Sequence, residues 1–592
     1  LIMDNSQPSQ ENKPKYKRKR GKSVLLNARK YGKQGKFGRG SHVDEDVYQY
    51  FVRVLELLKN GFENTEEKQC LVNNVFEEIK GKEVYYSYNQ IGCRVIESIL
   101  PDAEPENLEH MMTCISDDLR KISCDRFASY ILQKLVEICA KRSSIIKEED
   151  NKTYNAEHLE KCNLFVIKIS KYLLNNMEDF VWDNFANRII RQCIMSLAGM
   201  EPVEGKDKSR YNKETYNFCT VRPEWQEIIE DYVQRLLKWP QLCDFPYSEL
   251  TSGLLQIIIH AIKNEQPKLQ KQLIKHLVKE SFTKKDETNI IENSYPPVFD
   301  SEPATRLLEA ILNASNEKLF QHIYKKCFVG NLRALSLKKS SNFAVQNLLN
   351  NCNDKEIFES IFVELSESLK DILVTGHTGV LVSLTKASRR LGSQQAKVIN
   401  GFSSMLECVD DKTSYKFAPL TIQLLPFSRA EKVNNFVINI HGSIIVQEML
   451  YFNKPIKVVN SLMAMSAEDI LKLFCDPKGS HIADAFFQSQ YIGEKSREKM
   501  CRILKGCFSD LAMSKHGSRA FEQIWEKSPK GQQNKMMNEL VQKVGLLMGS
   551  DIGRIIGIKY NVELYKRSPT DWEQLSRKQT NLKQMFSDII AK

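Results

Sequence analysis

The sequence predicts an all-α protein, a solenoid of about eleven helical repeats behind a disordered basic tail. Three observations carry that reading. With 592 residues, 42% of them hydrophobic and 27% charged, the chain is too long for one core and too apolar to be disordered throughout. From Asp44 onward apolar residues recur at i, i+3, i+4 and i+7, and no long alternating run argues for strands. Finally, one eight-residue pattern returns along the whole body, which marks a repeat array.

The tail comes first. Residues 1 to 40 hold 12 of the 85 Lys+Arg and two of the 74 Asp+Glu, leaving a nearly neutral body of 73 basic and 72 acidic groups. The run Lys13 to Lys22 and the glycine-rich stretch Gly32 to Gly40 lack apolar periodicity, so residues 1–42 are expected to stay disordered. Such a segment suits a nuclear or nucleolar address or contact with RNA phosphates. Nucleic-acid affinity in the body must then come from local placement of charge.

The array is expected over residues 43–575, opening with the amphipathic stretch Val47 to Leu58. The octapeptide is clearest from Cys93 (CRVIESIL), Ser129 (SYILQKLV), Thr305 (TRLLEAIL), Asn342 (NFAVQNLL), Ser443 (SIIVQEML) and Ser518 (SRAFEQIW). Looser copies start at Asn187, Ser252 and Ser480, and weaker ones at Gly379 and Gly553. Positions three, four, seven and eight form one apolar stripe, while positions one, two and five share another face. Intervals between first residues are 36, 58, 65, 53, 37, 37, 64, 37, 38 and 35, so a period near 36 is interrupted by four insertions. Polar segments place three of them near 143–160, 201–220 and 281–298. The fourth falls between 383 and 439, and residues 576–592 are left as a C-terminal helix or tail.

A unit this short cannot cover its own apolar face, so neighbours must stack. Amphipathic packing alone explains the stripe. It does not explain why Ser, Thr, Cys or Asn recurs at position one, Arg or an aromatic at position two, and Glu or Gln at position five.

Those residues carry a resemblance. The unit resembles the Pumilio (PUF) RNA-binding repeat, in which positions one and five bond to one base edge and position two stacks between bases. Residues one turn apart can grip an edge together, and stacking adds about 1–3 kcal/mol per base. By that resemblance Ser518, Arg519 and Glu522 match a guanine reader, with Cys93, Arg94 and Glu97, and Thr305, Arg306 and Glu309, as variants. Asn342, Phe343 and Gln346 look like a uracil reader, and Ser129, Tyr130 and Gln133 a variant of it. Asn187, Arg188 and Arg191 suit a phosphate as well as a base. Ser443 and Gln447 flank the off-pattern Ile444; Ser480 and His481 precede the off-pattern Asp484. Gly253, between Ser252 and Gln256, cannot stack. The Gly379, Val380, Ser383 and Gly553, Arg554, Gly557 sets read as structural.

Eleven units, several degenerate, with insertions and a basic tail, are most similar to the Pumilio-like nucleolar protein nine family. That resemblance implies a C- or U-shaped α-solenoid that binds single-stranded or partly structured RNA, namely small-subunit precursor ribosomal RNA, among pre-ribosomal proteins in 40S biogenesis. It implies a nucleolar monomer without cofactor.

Other classes find little support. The fifteen cysteines show no Cys-x-x-Cys, and no signal-peptide pattern opens the chain, so a reducing compartment and free thiols are expected. The longest apolar run, Leu254 to Ile262, is far short of a membrane span. The ten histidines form no ligand-spaced cluster, so no metal is expected, and His377, His441, His481 and His516 read as loop or capping groups. Gly21-Lys22-Ser23 lacks the upstream glycine of a phosphate loop, and Asp476 with Asp484 is a poor candidate for paired catalytic carboxylates. The protein is expected not to be an enzyme. The alternatives kept open are a cytoplasmic Pumilio-type messenger-RNA regulator and a HEAT- or armadillo-like scaffold without RNA readout.

Overall fold

A computed structural model describes residues 24–144, 154–203, 216–283, 295–430, 432 and 436–578. The described chain is helical almost throughout. It divides into two compact units: Leu1–Phe245 with Glu249–Gln270, and Pro246–Ser248 with Lys271–Lys592.

Every octapeptide lies on a helix. In the first unit these are Gln90–Ile99, Ala128–Ser143, Ala186–Leu197 and Glu249–Ala261, each packed on the next. In the second they are Glu302–Ala314, Asn342–Asn351, Gly379–Leu391, Ile440–Leu450, Ser480–Gln488, Gly517–Lys527 and Asp551–Lys559, again stacked in order. A short helix or turn usually precedes each, as Leu119–Cys124, Leu332–Leu337 and Phe508–Met513 do. An outer helix usually follows, such as Pro105–Ser116, Ala156–Asn175 or Lys355–Ser366.

Stacking follows from the stripe. Val95, Ile96, Ile99 and Leu100, and Leu307, Leu308, Ile311 and Leu312, are wholly or almost wholly buried, as their counterparts are in the other strong copies. At the weakest copy the stripe fails where expected: Ile555, at position three, is 64% exposed. All fifteen cysteines are free, so no disulfide staples the repeats.

A recurring cap sets where these helices begin. Four residues before position one, Asn89 accepts hydrogen bonds from the N–H groups of Ile91 (2.8 Å) and Gly92 (3.3 Å). Asp125, Asp183, Asn439 and Asp476 make the same turn. Each thereby satisfies N–H groups that a helix start leaves unpaired.

Two expectations are corrected and a third is refined. First, residues 24–42 are ordered. Val24–Gly32 is a helix on Glu45–Asn60, where the Tyr48 hydroxyl donates to the Ala28 carbonyl at 3.1 Å and Arg29 pairs with Glu56 at 2.5 Å. The glycine-rich stretch supplies close approach rather than freedom: at Gly40 (φ +103°) a Cβ would lie 1.9 Å from the Tyr88 carbonyl oxygen. There the Arg39 carbonyl accepts from Gln90 N–H at 2.8 Å, tying the segment to the first octapeptide helix. The disorder expected of residues 1–23 lies outside the described residues.

Second, although no alternating run argued for strands, the described ends of the insertion near 201–220 include strand residues. Met200–Pro202 pairs antiparallel with Tyr216–Phe218 in a two-stranded ribbon. Third, the 64-residue interval from Gly379 to Ser443 is lengthened in two places, 406–416 and 424–439, either side of Phe417–Gln423. The ends of the other two insertions continue helices or a turn: Ala128–Ser143, Ala156–Asn175, Val278–Phe282 and Pro297–Asp300. Their centres lie outside the described residues, as do residues 579–592, while 569–578 is helical.

Candidate nucleic-acid interface

The three polar positions occupy different depths. Position one forms the floor: Cys93, Ser129, Asn187, Thr305, Asn342, Ser443 and Ser480 are buried. Most of these bond a backbone carbonyl: Asn187 Nδ2 donates to Val181 (2.8 Å), Thr305 Oγ1 to Val298 (2.9 Å), Ser443 Oγ to Lys478 (2.7 Å) and Cys93 Sγ to Phe127 (3.1 Å). Position two projects outward, with Arg94, Arg306, His481 and Arg519 exposed, Tyr130 40% exposed and Phe343 47% exposed. Position five lies between these depths.

Within one repeat the triplet residues make local polar contacts, some of them to one another. Gln346 Nε2 donates to Asn342 Oδ1 at 2.9 Å, and Gln447 Nε2 to Ser443 Oγ at 3.0 Å. Arg94 pairs with Glu97 at 2.7 Å, and Arg306 pairs with Glu302 one turn earlier. Ser518 Oγ donates to the Lys515 carbonyl at 3.3 Å. Glu309 is part-buried with only Arg306 as a favourable charge, and burial pushes its carboxyl from 4.5 up to about 7.

Between repeats the contacts interlock. Arg188 lies over the Tyr130 ring at 3.6 Å, and its Nη2 donates to Ser129 Oγ at 2.8 Å. Gln133 accepts no such cation but meets Gln192 at 3.3 Å. Arg191 is half-buried beside Gly253, where a Cβ would sit 3.1 Å from its Nη1, so the glycine makes room for the guanidinium. Burial, then the nearby Arg188, lowers the Arg191 pKa. The Nε atoms of Arg188 and Arg191 are both buried without a partner. Gly379 serves Gln346 in the same way, a Cβ there falling 2.6 Å from Gln346 Oε1. In the last repeats Arg519 reaches back to Asp484 at 3.1 Å, His481 approaches the same carboxylate at 3.3 Å, and Glu522 pairs with Lys559 at 2.6 Å.

His377, His441 and the two carboxylates singled out by sequence are accounted for locally. His377 meets the Ser336 carbonyl at 2.9 Å and His441 the Thr378 hydroxyl at 2.7 Å. Asp476 is a cap and Asp484 is paired, so no catalytic couple is built from them.

Sequence reading missed two things. The capping Asx turn recurs at a fixed offset and could have been found by extending the pattern four residues upstream. A trio of Glu83, His110 and Cys114 brings one carboxylate, one imidazole and one thiol within 4.8 Å, where no ligand cluster was expected. Only the His110–Cys114 spacing was legible beforehand. Among the described residues no helix is long and apolar enough to cross a membrane.

Comparison with known proteins agrees with this architecture. Nucleolar protein 9 of Mus musculus is 24% identical over 585 residues, covering 93% of this chain and 91% of that protein. Pumilio homolog 23 of Arabidopsis thaliana is 21% identical over 570 residues, covering 91% and 74%. Among solved structures, APUM23-GGAAUUGACGG matches with a TM-score of 0.71 at 18% identity, covering 91% of this chain and all of that one, and shares the fold. The model of the NOP9-like PUF repeat domain matches residues 81–555, and the chain belongs to that family.

Proposed function

We propose that this protein is a non-enzymatic, single-stranded RNA-binding protein of the nucleolus that holds small-subunit precursor ribosomal RNA among pre-ribosomal proteins during 40S assembly. The observation that carries this reading is the recurring triplet, whose planar or cationic position-two groups project from many, though not all, of the stacked helices. Apolar packing alone does not require those residues. Tyr130, Phe343, Arg94 and Arg519 offer faces for unpaired bases, while Glu97, Gln133, Glu309, Gln346, Gln447 and Glu522 lie beside them as edge readers. Asn187, Arg188 and Arg191 form the most basic stretch of the face and suit a backbone phosphate.

The relatives support the biological half. The name Nucleolar protein 9 places its bearers in the nucleolus, and APUM23-GGAAUUGACGG joins a protein of this fold to a nucleotide sequence. The test is recovery of RNA crosslinked to this protein in cells. Enrichment of small-subunit precursor is expected. Enrichment of messenger RNA instead would favour a cytoplasmic regulator, and no enriched RNA would favour a protein scaffold.

A further inference from the structure

We propose that Glu83, His110 and Cys114 form a zinc(II) site that clamps the first octapeptide repeat. Glu83 opens the short helix Glu83–Ser87 just before Gln90–Ile99, and His110 and Cys114 lie one turn apart on the outer helix Pro105–Ser116. One imidazole nitrogen faces both other groups: His110 Nε2 is 2.8 Å from Glu83 Oε1 and 3.6 Å from Cys114 Sγ. A single hydrogen on that nitrogen can serve only one of them, whereas a cation in its place serves all three.

The spacing fits zinc. Tetrahedral coordination with Zn–N near 2.0–2.1 Å and Zn–S near 2.3 Å separates nitrogen from sulfur by about 3.6 Å and oxygen from nitrogen by about 3.4 Å. The first separation is already present, and the second requires the hydrogen-bonded pair to open slightly. Carboxylate, imidazole and thiolate together select a borderline metal over magnesium or calcium, which prefer oxygen ligands. Glu83 is 3% exposed, so its charge is desolvated and benefits from a cation. The His110 side chain is 50% exposed, which leaves a path for the ion and for a water as fourth ligand.

A thiol must lose its proton to ligate a metal as thiolate. Binding releases that proton to solvent and leaves the thiolate on zinc. The bound ion would cross-link the outer helix to the short helix, fixing the frame that carries Cys93, Arg94 and Glu97. This proposal does not depend on which RNA is bound.

The test uses purified full-length chain, stripped with chelator and titrated with zinc(II) against a chromophoric competitor, and separately with cobalt(II). One zinc equivalent and a thiolate-to-cobalt charge-transfer band are expected. Cys114→Ser should abolish the band, and His110→Gln should lower zinc affinity at least tenfold, while Cys124→Ser, at an exposed thiol elsewhere, should change neither. Absence of the charge-transfer band in the unaltered protein would overturn the proposal, without reference to how any variant folds. So would a Cys114→Ser protein that keeps it.

Discussion

Glu522 tests base reading at the scale of one residue. Its carboxylate pairs with Lys559 at 2.6 Å, an exposed contact worth under about 1 kcal/mol that RNA can displace. If Glu522 reads a base, Glu522→Gln replaces an acceptor by a donor–acceptor amide and changes the preferred base at one RNA position by about 1–3 kcal/mol. Arg519→Ala should instead weaken binding with less change of preference. Affinities for RNAs varied one position at a time decide this: an unchanged profile for Glu522→Gln means that the lysine contact is its whole role.

Glu309 makes a second prediction at this scale. Its folded-state pKa stands near 7 against an ordinary 4.5, so the folded state holds the extra proton between those values. Its contribution to stability is therefore present at low pH and is lost as pH rises through 7. On the reading face, a neutral carboxyl both donates and accepts, as an amide does. Base preference opposite Glu309 should accordingly shift between pH 6 and pH 8, and Glu309→Gln should fix it in the pH 6 form. A pH-independent preference in the unaltered protein would show that Glu309 does not contact a base.

The triplets were legible because their members lie within one helix at i, i+1 and i+4. The contacts that join them were not. Tyr130 and Arg188 are 58 residues apart and meet only because an insertion adds no turn to the stack. Glu83 is 27 residues from His110, a separation no local pattern ranks above any other.

At the scale of elements, composition misled where a glycine-rich, basic stretch was read as free chain. Gly40 is needed because the backbone meets Tyr88, and Ala28 and Val43 are buried despite their polar neighbours. Removing residues 1–22 should leave the melting temperature unchanged and reduce nucleolar accumulation, since seven Lys+Arg are lost with no described core contact. Removing 1–40 should lower the melting temperature as well, and Tyr48→Phe should cost about 1 kcal/mol through its lost bond to Ala28. Equal melting of the two truncations would contradict the docking of Val24–Gly32.

The ribbon gives a matching comparison. Excising residues 204–215 with a short turn should cost little, because Met200–Pro202 and Tyr216–Phe218 still pair. Excising 201–220 should cost more, for Met200 is buried, Tyr216 packs 5.5 Å from the His260 ring, and Gly199 bonds Cys219. Similar melting temperatures for the two deletions would show that the ribbon contributes nothing to the repeats beneath it.

At the scale of the whole molecule, the repeat order was readable because the same stripe is buried at nearly every step. Where the extra length is divided between two places, as between Gly379 and Ser443, no single polar segment announced it. Charge was equally informative: a body with 73 basic and 72 acidic groups cannot bind RNA by bulk attraction, so the proposed binding depends on local placement of charge and is expected to be confined to the octapeptide helices. Ultraviolet crosslinking of the full chain to bound RNA, with crosslinked peptides identified by mass spectrometry, tests that confinement most directly. Crosslinks should fall on the octapeptide helices, with Tyr130 and Phe343 prominent and Arg94, Arg188 and Arg519 nearby, and not on outer helices such as Pro105–Ser116 or Lys355–Ser366. Crosslinks concentrated on those outer helices, with none on the octapeptide face, would contradict the account.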